Sequence, residues 1–309
     1  MIQTNTPPRN QNAKRIIGFA IGVLLIAIAV FVLMQNKQGL DDAVGSARHA
    51  PVWLIVMVVL LPLVNAGLVS VSFWTLMRKF GRVPLGDMFA LIGSAWLLNY
   101  LPLRPGLVGR LAFHKLVHGV PLRSSVAVSV ALAIMAALAA GHMLVVGIAF
   151  AEHAIVGVVV MLASSVAVYL LAGAAADKSP AGSVPRNDLR LALLIRYGDM
   201  LVWALRMWVC FAIVGADIGP SAALLIAAAA QLASLFPLTG AGLGVVEWAV
   251  GVVAAIVVVS ATKEIGLAAS LVNRAAELVV VVPAGLLGSA YIARRRSRMP
   301  ERGSGTAVP

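Results

Sequence analysis

The sequence predicts an all-α polytopic membrane protein, with about six full transmembrane helices and two re-entrant broken-helix hairpins in two halves of inverted topology. Three observations carry this expectation. Of the 309 residues, 61% are apolar and 12% charged, with a mean hydropathy of +0.97; soluble domains are about half apolar and about one-quarter charged. That composition excludes an ordinary cytosolic enzyme, a disordered chain and a disulfide scaffold. Six stretches also reach the roughly 20 apolar residues a helix needs to cross about 30 Å of hydrocarbon. Two further apolar stretches are interrupted by Pro and Gly, which stop helices.

In chain order the six full stretches are 16–34, 51–77, 124–150, 154–176, 191–215 and 265–292. The first follows Arg9, Lys14 and Arg15 and so has the basic flank of a signal peptide. Its apolar run is too long for one and no small-residue cleavage site follows promptly, so a retained helix is expected. The first broken segment, 87–101, runs into Pro102-Leu103-Arg104-Pro105-Gly106, and a second piece continues to about His118. The second, 221–236, runs into Pro237-Leu238-Thr239-Gly240-Ala241-Gly242, and its second piece continues to about Val259. The first arms have 15 and 16 residues, roughly 22–24 Å of helix, which is short for a crossing. Backbone freed at membrane depth is tolerated only inside protein or beside a watery cavity.

Charge separates crossing from turning back. If both broken segments turn back, 18 of the 24 Lys and Arg residues fall on the side of the two termini, as the positive-inside rule requires of the cytoplasm. If only one crossed, the Arg294–Arg298 cluster would lie outside. The expected plan is a basic cytoplasmic N-terminus (1–15), a first membrane half (16–150, hairpin 87–118), a second half (154–292, hairpin 221–259) and a basic cytoplasmic tail (293–309). The net charge of +12 is then topological, and no nucleic-acid partner is expected. The two breaks share a polar residue, Asn99 or Ser234, three before a Pro-Leu with Gly soon after, and lie 135 residues apart. Three crossings per half is an odd number, so the second half must be inverted. Paired broken helices point to a transporter's midplane site.

Charges at the centre of membrane helices cost about 2.5–3.5 kcal/mol each on insertion scales and need a reason. Arg196, Asp199 and Arg206 share one face of the fifth stretch, and Asn273, Arg274 and Glu277 cluster in the sixth. Arg196–Asp199 and Arg274–Glu277 are i,i+3 pairs that can neutralise each other. Neither pair accounts for Arg206 or for Glu247, which opens the helix after the second break and is the foremost functional candidate. Beyond Pro105, the helix start suits an anion, and Arg110, His114 and His118 follow at four-residue steps, with Arg104 in the break itself. An anionic lipid headgroup fits this stripe; a basic edge snorkelling to the surface fits equally.

Other motifs carry no chemistry. Gly242-Leu243-Gly244-Val245-Val246-Glu247 lacks the βαβ context of a dinucleotide site, and His114 and His118 have neither a third metal ligand nearby nor a zincin glutamate. The single Cys210 excludes an intramolecular disulfide and a cysteine-built metal site. No catalytic, cofactor or metal residues are expected, and no enzyme.

In NYLPLRPGLVGR (99–110), FPLTGAGLGVVE (236–247) and Asn273-Arg274, the chain resembles the transmembrane-region family of lysylphosphatidylglycerol synthases, the flippase-like membrane part of the multiple peptide resistance factor. In layout the resemblance spans nearly the whole chain. It implies a lipid-translocating domain with two re-entrant helices. The residues implied are Pro102, Arg104, Gly106 and Arg110 in the first motif, Pro237, Gly242, Gly244 and Glu247 in the second, and Arg274. Leu107 stands where the family usually has an acidic residue, and 124–141 lacks its Glu-Arg pair. With about 17 residues after the last helix, no soluble aminoacyl-transfer domain and no synthase activity are expected. The leading expectation is a plasma-membrane lipid flippase for a phospholipid or an isoprenoid- or hopanoid-type lipid. Its headgroup phosphate would be held by Arg104 and Arg110, and Glu247, near Arg274 or Arg206, would act as gating charge. The alternatives are a membrane enzyme acting on lipid phosphates and a non-transporting scaffold for a separate lipid-modifying enzyme; a homo-oligomer is compatible with each.

Overall fold

The computed structural model describes Leu24, Ala27 and residues 37–101, 105–177, 184–235, 240–258 and 261–297. Apart from Leu24 and Ala27, the first expected crossing lies outside these residues, as do Pro102, Arg104 and Pro237. The described residues form ten α-helices and no strand. They are α1 (Lys37–Arg48), α2 (Val52–Met77), α3 (Leu85–Asn99), α4 (Pro105–Val117), α5 (Leu122–Glu152), α6 (Ala154–Asp177), α7 (Arg186–Ile213), α8 (Pro220–Ser234), α9 (Val245–Val257) and α10 (Lys263–Ser297). A 3-10 turn, Gly240–Gly242, sits between α8 and α9.

Three helices, α2, α5 and α10 over Lys263–Arg295, are long and apolar enough to cross a membrane, which marks the chain as a membrane protein. Over its described side chains α6 is a shorter apolar helix, Ala154–Leu170. The 28-residue α7 spans about 42 Å, but Arg196, Asp199 and Arg206 interrupt its hydropathy. It begins five residues earlier than expected, because Asp188 in its first turn meets Arg78 at 3.0 Å and Lys79 at 3.4 Å at the end of α2. A Schellman turn ends it, with Gly215 at φ +80° and the Ala216 N–H donating to the Phe211 carbonyl at 2.9 Å. The amphipathic α1 was not expected: Leu40, Ala43, Val44 and Ala47 fall at i, i+3, i+4 and i+7, the spacing of one helix face.

Both broken segments are present as arm pairs of equal length, 15 and 13 residues for α3 and α4 and again for α8 and α9. α2 and α7 lie antiparallel at the centre, tied at one end by Arg78–Asp188, midway by Asn65–Asp199 at 2.7 Å and at the other end by Trp53 against Trp208. Each first arm then packs on the long helix that follows the other break: α3 on α10, and α8 on α5. Small residues make these contacts close. Gly93 faces the Ala284 backbone and Gly147 faces Leu225; within the first hairpin, a Cβ on Gly106 of α4 would fall 2.3 Å from the Ala95 carbonyl oxygen of α3. Further out, α5, α6 and α7 are joined by a polar tie. His142 bonds the Tyr197 hydroxyl at 2.6 Å and the Ser164 hydroxyl, whose own proton goes to the Val160 carbonyl. Ser164 thereby links α6 to α5.

Candidate functional site

The second break is built around glycine. Ala241, Gly242 and Gly244 adopt φ of 49°, +71° and +78°, a region costly for side chains other than Gly. A Cβ on Gly242 would also lie 2.8 Å from Val246 and 3.1 Å from the Ser234 Cα. Gly244 caps α9 but has no side chain to do it with. Glu247, fully buried in the first turn, takes over, its Oε2 accepting from the Gly244 N–H at 2.7 Å. The positive end of α9 is therefore occupied by the chain's own carboxylate.

From Glu247 a chain of polar contacts runs across the molecule. Its Oε1 meets Arg274 Nε at 2.7 Å. Arg274 also donates to the Tyr100 hydroxyl at 3.1 Å, and Tyr100 donates to Glu277 at 2.7 Å. Glu277 receives Arg206 Nη2 at 3.2 Å, and Arg206 donates from Nε to Asn273 at 3.1 Å and from Nη1 to Asn65 at 3.0 Å. Asn65 passes the contact to Asp199, which closes on Arg196 at 3.0 Å. Three arginines and three carboxylates alternate, so the network is charge-balanced. Both expected i,i+3 pairs form, Arg196–Asp199 at 3.0 Å and Arg274–Glu277 at 3.8 Å, and Arg274 adds the closer contact with Glu247 at 2.7 Å.

This network borders a cavity of 290 Å³ lined from both breaks, by Asn99 and Tyr100 at the end of α3 and by Ser234, Leu235 and Ala241 at and beyond the end of α8, with Arg196, Asp199, Arg274 and Glu277 between them. Two buried polar atoms at its wall, Arg196 Nε and Asn99 Oδ1, have no partner among the described residues. Such atoms are costly when dry and suit a polar ligand or water.

Arg110 sits apart from the network. Its guanidinium lies 3.8 Å over the Phe73 ring and donates to Ser129 at 3.1 Å; its Nε is unpartnered, and among the described residues it meets no carboxylate. Phe73 and Ser129 both line the central cavity, while Arg110 itself lines a second cleft of 660 Å³, where Gly106 and Phe113 face Ile292 and Ala293. Arg110 is thus a bare, 8% exposed cation between two spaces. His114 and His118 do not join it as an open stripe: His114 Nδ1 meets His118 Nδ1 at 3.1 Å, and His118 Nε2 meets Asp87 at 2.9 Å. Arg104 lies outside the described residues.

Of the expected site residues, Gly244, Glu247, Arg274, Glu277, Arg206, Asp199 and Arg196 come together in one network, Gly242 shapes the break beside it, and Gly106 and Arg110 line the neighbouring cleft. Residues not singled out from sequence are Asn65, the Tyr100 hydroxyl and Asp87. Asn65 is signalled as a lone amide in the apolar α2, and Asp87 as the sole acidic residue between Asp42 and Glu152. Comparison with protein-family models, curated proteins and solved structures finds no match to this chain.

Proposed function

We propose that the chain is a flippase-like protein of the plasma (inner) membrane that binds an amphiphilic lipid with an anionic headgroup and moves it between leaflets. On this reading it belongs with the membrane family it resembles, crosses six times with both termini cytoplasmic, and turns back at α3–α4 and α8–α9. The observation that carries the reading is a polar cavity at the meeting point of two matched helix breaks, beside a bare buried arginine. The reciprocal packing of α3 on α10 and α8 on α5 around an antiparallel α2–α7 pair supports inverted halves. The Arg78–Asp188 and Asp87–Arg295 contacts bring four basic-flanked helix ends to one end of the molecule, which supports a common cytoplasmic face.

In this mechanism Arg110 holds the headgroup charge and the cavity accommodates its polar part. The contacts of Tyr100 with Arg274 and Glu277, beside the Glu247–Arg274 pair, are those that rocking of the two halves makes and breaks, with Glu247 holding Arg274 as the gating charge. The chain performs no covalent step; a separate enzyme would modify the lipid. The test is movement of headgroup-labelled anionic and zwitterionic lipids in proteoliposomes, with empty liposomes as control. Wild type should move an anionic lipid and Glu247→Gln, folded to the same degree, should not. Wild-type rates from Glu247→Gln would end the gating role, and no movement by wild type with any lipid would favour the scaffold.

A further inference from the structure

At the far end of α4 a second polar cluster stands outside the network just described. Asp87, in the first turn of α3, is fully buried. Its Oδ1 accepts from the Tyr291 hydroxyl at 2.9 Å; its Oδ2 is shared by Arg295 Nε at 2.8 Å and His118 Nε2 at 2.9 Å. Tyr291 and Arg295 belong to the end of α10, so a single carboxylate ties that end to both arms of the first hairpin. His118 follows α4, and the His114 carbonyl accepts from both the His118 and the Val120 N–H, which turns His118 back toward Asp87. The His118 side chain is 3% exposed and His114 is fully buried.

The Nδ1–Nδ1 contact between the two imidazoles requires one shared proton. With both rings neutral, His114 Nδ1–H donates to His118 Nδ1 and His118 Nε2–H donates to Asp87. His114 Nε2 is then a bare lone pair, and it has no partner among the described residues. One further proton has a defined place. It binds His114 Nε2, the bridging proton passes from His114 Nδ1 to His118 Nδ1, and the positive charge comes to rest on His118 against Asp87. The charged and titratable groups around the pair are Asp87 from α3, Arg110 and Lys115 on α4 itself, Tyr291 and Arg295 from α10, Arg123 in the first turn of α5, and Arg82 in the loop whose Gly81 faces the His118 carbonyl.

We propose that Asp87, His118 and His114 form a proton-binding site that latches the end of α10 to the first hairpin, so that proton uptake opens the cleft between them. Once His118 carries a charge it competes with Arg295 for the same carboxylate oxygen, and Arg295, whose side chain is 42% exposed, is the partner with access to water. The cleft beside Arg110, lined by Ser289, Ile292, Ala293 and Ser297 at this end of α10, widens as Arg295 leaves. If the lipid reading is right, the latch controls entry to Arg110; the latch itself is tested without any transported lipid.

Spin labels at Leu116→Cys on α4 and Arg294→Cys on α10, both exposed positions, report the distance across the cleft in phosphatidylcholine vesicles. The buried native Cys210 stays unlabelled. Samples are frozen at about pH 8 and about pH 5. The distance distribution should shift to longer values at the lower pH, stay at the pH 8 distribution in His118→Gln at both, and be long at both in Asp87→Asn. An unchanged wild-type distribution, or an undiminished response in His118→Gln, overturns the latch whatever the outcome for lipid movement.

Discussion

The two helix breaks have the same frame and opposite chemistry. Each joins a 15-residue arm to a 13-residue arm, and each first arm packs on the helix following the other break. After the second break, Glu247 fills the start of α9, accepts from Gly244 and pairs with Arg274, so every charge there has an opposite. After the first break, the opening turn of α4 carries no acid and Arg110 has a ring and a hydroxyl for company. A shared scaffold thus presents one closed, neutral node and one open cation. In the proposed function, the first kind of site carries stability and the second ligand selectivity.

The largest expected effect tests the closed node. Arg274→Met leaves Glu247 buried without its countercharge and should lower stability by about 3–5 kcal/mol. Adding Glu247→Gln, which keeps an acceptor for the Gly244 N–H, should recover most of that loss in equilibrium unfolding in mixed micelles. An intact Arg274→Met would mean that the node is open as well. A smaller effect is expected at the centre of the network. Asn65→Leu removes the amide linking Arg206 to Asp199 and should cost about 1–2 kcal/mol. Because Asn65 belongs to α2 and its partners to α7, the loss should appear as weaker association of the two halves, read as an earlier midpoint in equilibrium unfolding in mixed micelles.

The helical character, three of the membrane-length runs and the two-armed form of both broken segments were legible because each depends on local composition: apolar length, and Pro or Gly placed against it. Glu247 was legible as a carboxylate in the first turn of an apolar helix. The long-range pairings were not. Arg274 sits one turn from Glu277 and the fold keeps that pair at 3.8 Å, but spacing left Glu247 between Arg274 and Arg206, and only the packing of α9 on α10 brings it to Arg274 at 2.7 Å. The periodicity of α4 likewise groups Arg110, His114 and His118 as one basic stripe. Asp87 divides it, claiming His118 from 31 residues earlier in the chain. Local pattern locates charged groups, while the long-range packing of α3 on α10 and α4 chooses their partners.

Retention of lipid by Arg110→Gln tests the contrast between the breaks most directly. Removing a bare buried charge offsets the lost ring and hydroxyl contacts, so stability should stay within about 1 kcal/mol of wild type. Native mass spectrometry of wild type, Arg110→Gln and the Arg274→Met/Glu247→Gln double variant, each equilibrated with an equal mixture of anionic and zwitterionic phospholipid, compares the two sites. Wild type and the double variant should retain anionic lipid preferentially, and Arg110→Gln should show no preference. An undiminished anionic preference in folded Arg110→Gln would contradict headgroup binding at the first break.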